Sequence, residues 1–462
     1  MLERIPRVLI AGTGSGCGKT TLVCALMAAM ARRGLTVQGF KCGPDYIDPL
    51  FHSHITGRPS RNLDPFLLPE PTLRHLLRKN SRGADCSVIE GVMGFYDGLG
   101  ATTTASTYEV AAATETPTLL ALTTRGASAS LAALIKGFTD FRPDNGIVGV
   151  LLNETSERLY ASLKPMLEGE TGLEVLGYLP RVEGCSLESR HLGLVTAQEV
   201  EDLDAKLADL AEQAERSLDL DRVLALASAA PPSPEGLPPT AGLAFEPRPF
   251  RLAVARDRAF CFYYRDALDL LEETGGQLVF FSPLSDAELP DADGLYLGGG
   301  YPELHAARLA ANISMLRDIR RRVTEGLPTF AECGGFMVLC ESLRTEEGVF
   351  AMSGVLKGDV FMTRSLTRFG YVDLAARRQS VLAPQGWTGR GHEFHYSDGT
   401  NNGDGFVVSK ADGRAWEGIH ASSSLHAGYP HLHLCGDARL ALNFAQACAE
   451  YRKGKRKHES PA

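Results

Sequence analysis

Between Arg7 and about Arg181 the chain alternates short apolar runs with longer stretches in which apolar residues recur every three or four positions. The runs VLIAG, LTVQGFK, CSVIEG, TPTLLALTT, IVGVLLNE and EVLGYLPR read as strands. ALMAAMARRG, TYEVAAAT, SASLAALIKGF and RLYASLKPMLEGE, lying between them, read as helices. Near-continuous apolar strands separated by helices predict a mostly parallel sheet covered on both faces, with ligands received beyond the carboxyl ends of the strands. Residues 197–227 then show a charged, amphipathic helical pattern. Six prolines from Pro231 to Pro247 follow, which predicts a linker over 229–249 after a first domain of 1–228. The alternation restarts with RLAVARD, FCFYYRDALDLLEETG, QLVFFSP, DGLYLGGG and PTFAECGGFMVL, so 250–449 reads as a second α/β domain. The basic stretch 450–462 reads as a disordered tail.

Composition narrows the class without naming a reaction. At 462 residues the chain exceeds one ordinary core, and 44% apolar with 22% charged residues is globular. A net charge of −9 gives no reason to expect nucleic acid as a partner. No apolar run approaches the ~18 residues of a membrane span, and the first strand begins so early that no signal peptide is expected. Ten cysteines without a C-x-x-C pair read as reduced thiols of a cytoplasmic protein.

The first chemistry-bearing stretch is Val8–Thr21, VLIAGTGSGCGKTT. A strand, a glycine loop and a helix opening on Gly18-Lys19-Thr20-Thr21 are what a nucleotide's phosphates require: backbone N–H donors, the Lys19 ammonium, and the Thr20 hydroxyl for Mg²⁺. The residue five before Gly18 is Thr13 and the glycine stands at Gly12, giving GTxxxxGKT, a spacing that resembles dethiobiotin synthetase. The second lysine of partition-type ATPases is absent from the start of the loop. Two later strand ends carry acids: Asp45 and Asp48 in KCGPDYIDP, Glu90 and Asp97 in EGVMGFYDG. Hard oxygen ligands there suit Mg²⁺ and the positioning of an acceptor. Gly91, Gly94 and Gly98 allow close backbone approach. Asn153 and Pro180, at the ends of two further strands, fit either an adenine edge or an ordinary turn.

The second such stretch is Pro328–Leu339. A strand ending on Cys333, followed by Gly334 and Gly335 and an apolar helix, reads as a nucleophile elbow, with the helix N-terminus expected to lower the thiol pKa. The loop containing Gly298, Gly299 and Gly300 can bring N–H donors to an oxyanion. Histidines to serve as base cluster late, at His420, His426, His431 and His433. In GYPHLHL, His431 and His433 alternate along an expected strand and so face opposite ways. His392 and His395, in GHEFHYS, lack the spacing of a helical zinc motif, and the segment reads as a domain-interface or substrate-facing loop or, equally, as structural packing.

GTGSGCGKTT, KCGPDYIDP, EGVMGFYDG, YLGGGYPE, AECGGFMVL and RGHEFHYS, in that order, resemble the cobyrinic acid a,c-diamide synthase family, glutamine-dependent amidotransferases of cobalamin biosynthesis, over about Arg7 to Ala449. The resemblance implies a dethiobiotin-synthetase-like P-loop domain with a parallel sheet, joined to a class I glutamine amidotransferase-like domain. It implies that Cys333 attacks the glutamine amide to give a γ-glutamyl thioester and ammonia, with Gly299, Gly300 and Gly334 forming the glutamine and oxyanion pocket. Tyr429-Pro430-His431 matches the Tyr-x-His of related amidotransferases and makes His431 the base. His433 then stands where ordinary class I enzymes have glutamate. The family pattern YLHLHF is replaced by YPHLHL, which keeps His433 as a second candidate. Gly12, Thr13, Gly16, Gly18, Lys19, Thr20, Thr21 and Asn153 would bind ATP, Thr20, Asp45 and Glu90 would hold Mg²⁺, and Asp97 would orient the acceptor. The implied reaction phosphorylates the a and c acetate carboxylates of cobyrinic acid, and ammonia, carried along a sheltered path, displaces phosphate. Metal-free hydrogenobyrinic acid or another tetrapyrrole is an alternative acceptor. A P-loop ATPase switch is an alternative of another class, and the Cys333 elbow argues against it.

Overall fold

The computed structural model describes residues 4–182, 185, 189–190, 193–194 and 202–459. It divides into two compact units, Met1–Pro238 and Pro239–Ala462. Of the amphipathic stretch expected over 197–227, residues 197–201 lie outside the described residues; the remainder forms the helices Leu203–Ser217 and Leu220–Ser228.

In the first unit the strands are β1 (Arg7–Gly12), β2 (Val37–Cys42), β3 (Arg61–Leu63), β4 (Cys86–Glu90), β5 (Thr118–Thr123), β6 (Ile147–Asn153) and β7 (Glu174–Leu179). They form one sheet in the order β3-β2-β4-β1-β5-β6-β7, and every pairing is parallel. The apolar runs become these strands because both faces are covered: β1, β2 and β4 are buried at every residue. The helix α1 (Lys19–Arg32) follows β1 directly, its start set by Gly18 in the left-handed region. Sheet order reverses direction at β1, so the loop after β1 opens beside the ends of β2 and β4.

The proline-rich segment does not begin as a free linker. Its first half belongs to the first unit, laid along the helix Glu70–Ser81: Leu237 N–H donates to Pro71 O at 2.9 Å, and Ser233 is fully buried. Gly236 fits so closely that a Cβ there would lie 2.2 Å from the His75 nitrogen. Composition pointed to a spacer; packing against that helix overrides it.

In the second unit a six-stranded sheet runs Gly276–Phe281, Phe250–Ala255, Gly294–Leu297, Thr329–Glu332, Leu425–Gly428, His420–Ser422. All neighbours are parallel except the last pair. Two four-stranded sheets flank it in sequence between Ser342 and Gly418, and one of them pairs Arg368–Ala376 with Thr388–His395, Phe406–Ser409 and Ala415–Gly418. GHEFHYS therefore begins on a strand rather than in a loop. The final helix runs from Ala438 to Glu459 and corrects the expected disordered tail over most of its length. Lys455 Nζ anchors it by donating to Ala292 O at 2.9 Å and Asp291 Oδ1 at 3.2 Å. Residues 460–462 lie outside the described residues.

Candidate active site

The phosphate loop is shaped by what its glycines permit. A Cβ on Gly12 would sit 2.5 Å from Cys17 Sγ and 2.8 Å from Lys19 Nζ. Gly16 and Gly18 adopt φ of 76° and 77°. Lys19, buried, donates to Gly14 O at 3.0 Å and to Met93 O at 2.5 Å, tying the loop to the segment after β4. Phe95 N–H donates to Gly12 O at 2.8 Å in the same place. Thr13 and Thr21 lie half-buried along the loop and the first turn of α1. Asn153 reaches the loop from the end of β6, its amide nitrogen donating to Cys17 O at 2.9 Å and Gly18 O at 3.3 Å. In this geometry it holds the loop rather than presenting its amide to a base.

Thr20 Oγ1 donates to Glu90 Oε1 at 2.7 Å and lies 3.4 Å from Asp48 Oδ2. Two residues not singled out from the sequence complete the cluster. Lys41 Nζ, at the end of β2, contacts Asp48, sits 2.9 Å from Glu90 Oε1 and 3.8 Å from Asp45 Oδ2. His52 Nε2 lies 2.7 Å from Glu90 Oε2. Burial works against the charge on Glu90, but Lys41 and His52 outweigh it and hold its carboxyl well below the usual carboxylate range. Burial, with Asp45 and Glu90 beside it, pushes Asp48 up. Burial likewise opposes the Lys41 charge, and Asp48, Glu90 and Asp45 hold the ammonium well above its ordinary value. Asp45 is the outlier among the expected metal ligands: it is half-exposed and its Oδ1 accepts from Ile47 N–H at 2.8 Å. Asp48 is the closer third acid. The donor set, a hydroxyl and carboxylates, is chemically that of a hard divalent cation. Asp97 is exposed, and its Oδ2 accepts from Gly94 N–H at 2.9 Å, which shapes the turn beside the phosphate loop. Pro180 follows β7 at the sheet's end.

In the second unit Cys333 adopts φ 46°, ψ −104°, the strained backbone of an elbow. Its N–H donates to Gly428 O at 2.8 Å, so the nucleophile hangs directly on the neighbouring strand. Gly335 is obligatory, because a Cβ there would come within 2.1 Å of Leu297 O. The glycine loop lies against the elbow: a Cβ on Gly334 would be 3.2 Å from the Gly300 nitrogen. His431 reaches the same loop, its Cε1 lying 2.6 Å from where a Gly299 Cβ would stand. Cys333, Gly334, Gly299, Gly300 and His431 are thus one constellation.

The expected lowering of the Cys333 pKa is corrected by the structure. Burial pushes the thiol up, helped by Glu303 and opposed by the Gly334 N–H, and the helix after it is only Gly334–Leu339. The histidine strand also differs from expectation. It ends at Gly428, and His431 makes a single antiparallel bridge to His392, with N–H···O distances of 2.9 and 3.1 Å. Pro430 has no N–H to continue a ladder. His392, expected only as part of an interface or substrate-facing loop, stacks on His431 at 4.9 Å and lies 2.7 Å from the Tyr264 hydroxyl through Nε2. Burial pushes His392 and His433 down to about 3 and His431 well below its usual value, which favours the neutral form of each imidazole. His433 stacks on the Tyr264 ring at 4.5 Å. His426 is core, packed between Phe330 and Phe406 and bonded to Ser380. His420 stacks on Phe336, and His395 on Tyr429 at 3.8 Å.

Comparison with known proteins matches residues 8–195 to a family described as the CobQ/CobB/MinD/ParA nucleotide binding domain. Residues 251–439 match a CobB/CobQ-like glutamine amidotransferase domain. The cobyrinate a,c-diamide synthase of Salmonella typhimurium is 42% identical over 445 residues, 94% of this chain and 96% of that protein. The enzyme of the same name from Caldanaerobacter subterraneus subsp. tengcongensis is 39% identical, covering 96% of this chain and 98% of that protein. The one from Streptococcus sanguinis is 40% identical, covering 94% and 97%.

Proposed function

The chain belongs to the cobyrinate a,c-diamide synthase family, enzymes of glutamine-dependent amidation in cobalamin biosynthesis with a nucleotide-binding and a glutaminase domain, and from that premise we propose how its residues divide the work. Cys333 attacks the glutamine amide. His431 takes the thiol proton and delivers it to the leaving ammonia, and the N–H groups around Gly299, Gly300 and Gly334 receive the oxyanion. Water then releases glutamate from the thioester.

At the phosphate loop, ATP transfers its γ-phosphoryl group to an acetate carboxylate of cobyrinic acid, giving ADP and an acyl phosphate. Ammonia attacks that carbonyl, the C–O bond to phosphate breaks, and an amide and inorganic phosphate leave. Lys19 balances charge on the transferred group, and Asp97 orients the acceptor. Thr20, Glu90 and Asp48, with Asp45 at the margin, would hold Mg²⁺. When bound, it neutralises phosphate charge. The observation that carries this reading is the Thr20–Glu90 contact of 2.7 Å beside the loop, in a cluster whose oxygen donors, Thr20, Asp48 and Glu90, are gathered around Lys41. The work belongs in the cytoplasm, which suits ten free thiols. Among the described residues no helix is long and apolar enough to cross a membrane.

Cobyrinic acid labelled with ¹⁸O in its carboxylates provides the test. An acyl phosphate places one labelled oxygen in inorganic phosphate for each amide formed. Phosphate free of label, with the diamide made, would rule the intermediate out.

A further inference from the structure

In class I amidotransferases the family resemblance places a glutamate two residues beyond the base, where this chain has His433. That imidazole is buried, and neither of its ring nitrogens has a hydrogen-bond partner among the described residues. A carboxylate does reach the histidine segment from elsewhere. Glu332, the residue before the nucleophile, is buried, and its Oε1 accepts from the Leu432 N–H at 2.7 Å. Its Oε2 accepts from the Tyr296 hydroxyl at 2.6 Å. Leu432 is the peptide directly after His431.

Pro430 explains why such an anchor is needed. The strand stops at Gly428, and proline interrupts the ladder two residues later. The histidine segment is therefore not carried by the sheet. His431 instead exchanges both of its backbone hydrogen bonds with His392, and Glu332 holds the next N–H. On its other side Glu332 is covalently joined to Cys333. One side chain thus links the backbone of the nucleophile to the backbone of the base.

We propose that Glu332 is a positioning residue for glutamine hydrolysis, setting the His431 imidazole against the Cys333 elbow through the Leu432 amide in place of the absent glutamate. The proposal rests on the glutaminase reading above. It predicts that losing the acceptor disturbs catalysis by His431 without changing how glutamine binds. Glu332→Ala should lower kcat for glutamine hydrolysis by about 100-fold, the scale of a misplaced general base, with KM for glutamine within about threefold of wild type. Glu332→Asp, which keeps a carboxyl group but falls short of the Leu432 N–H, should behave alike and serves if the alanine variant does not fold. Glu332→Gln, whose amide oxygen accepts the same N–H, should recover kcat to within about fivefold. Diamide synthesis from ammonium salts should be unchanged in all three, and Cys333 alkylation by a glutamine chloroketone should slow in step with kcat. Aspartate and alanine variants hydrolysing glutamine at the wild-type rate, or losing activity through KM alone, would overturn the clamp while leaving the glutaminase intact. Wild-type protein that neither hydrolyses glutamine nor reacts with the chloroketone would overturn the glutaminase reading itself.

Discussion

Glu90 and Glu332 are the same residue in the same kind of place, and the structure sends them in opposite directions. Each is the last residue of a buried parallel strand, β4 in the first unit and Thr329–Glu332 in the second. Around Glu90 stand an ammonium, a hydroxyl and an imidazole, and its carboxyl is held well below the usual range. Around Glu332 stand a phenol and a peptide N–H, and burial pushes it up to about 8. Strand position alone does not decide what a buried carboxyl does; the cations brought to it do. The phosphate-loop cluster is built from opposed charges and suits a polyanion with its cation. At the glutaminase centre burial favours the neutral forms of the imidazoles and of the Cys333 thiol, which suits an uncharged amide.

The comparison can be broken most sharply at the nucleophile. Cys333→Ala should reduce glutamine-dependent amidation by at least about 10³-fold, while ammonium salts still support the diamide in a mass assay. Loss of both activities together would show that the two chemistries do not separate as described. Next in size is Lys41→Met. It leaves Asp48 and Glu90 facing each other without their buried counter-ion, so destabilisation of about 3 kcal/mol is expected in chemical unfolding, along with loss of ATP-dependent amidation. Glutamine hydrolysis by the folded variant should persist.

A contrast in pH dependence sharpens the comparison directly. Glu90, with its pKa depressed in the folded chain, contributes stability that is present above the ordinary carboxylate value and lost as pH falls below it. Glu332 has the opposite sign. With a folded value near 8 against an unfolded value of 4.5, it favours folding at low pH and progressively disfavours it as pH rises from about 4.5 to 8. Glu332→Gln should therefore gain stability relative to wild type across that window, and Glu90→Gln should lose it relative to wild type as pH rises from the acid range to about 4.5. Parallel denaturant midpoints from pH 2 to 9 measure both. Curves of equal slope would mean the two carboxyls do not differ.

The alternating pattern made most of the first sheet legible, since runs such as CSVIEG and IVGVLLNE fall on β4 and β6. It did not reveal β3, an edge strand of three residues, or the helix Ile47–Thr56, whose Gly43, Pro44 and Pro49 read as punctuation. The glycine motifs located the phosphate loop and the elbow because backbone shape demands those residues locally. Lys41 was harder: one charge at the end of an apolar run looks like the strand meeting water, yet it is buried between Asp48, seven residues on, and Glu90 from the end of β4. His392 escaped for a related reason. Gly391, His392 and Glu393 are all buried, so GHEFHYS shows no alternation to mark its strand. Each missed residue has at least one partner far along the chain, Glu90 for Lys41 and His431 for His392.

The depth of Cys333 has a further consequence. A thiol at 7% exposure whose pKa is pushed upward offers peroxide and disulfide reagents little access and little thiolate. The packing that holds back the nucleophile therefore also holds back its oxidation, and the rate at which a disulfide reagent titrates Cys333 in the folded enzyme measures that protection.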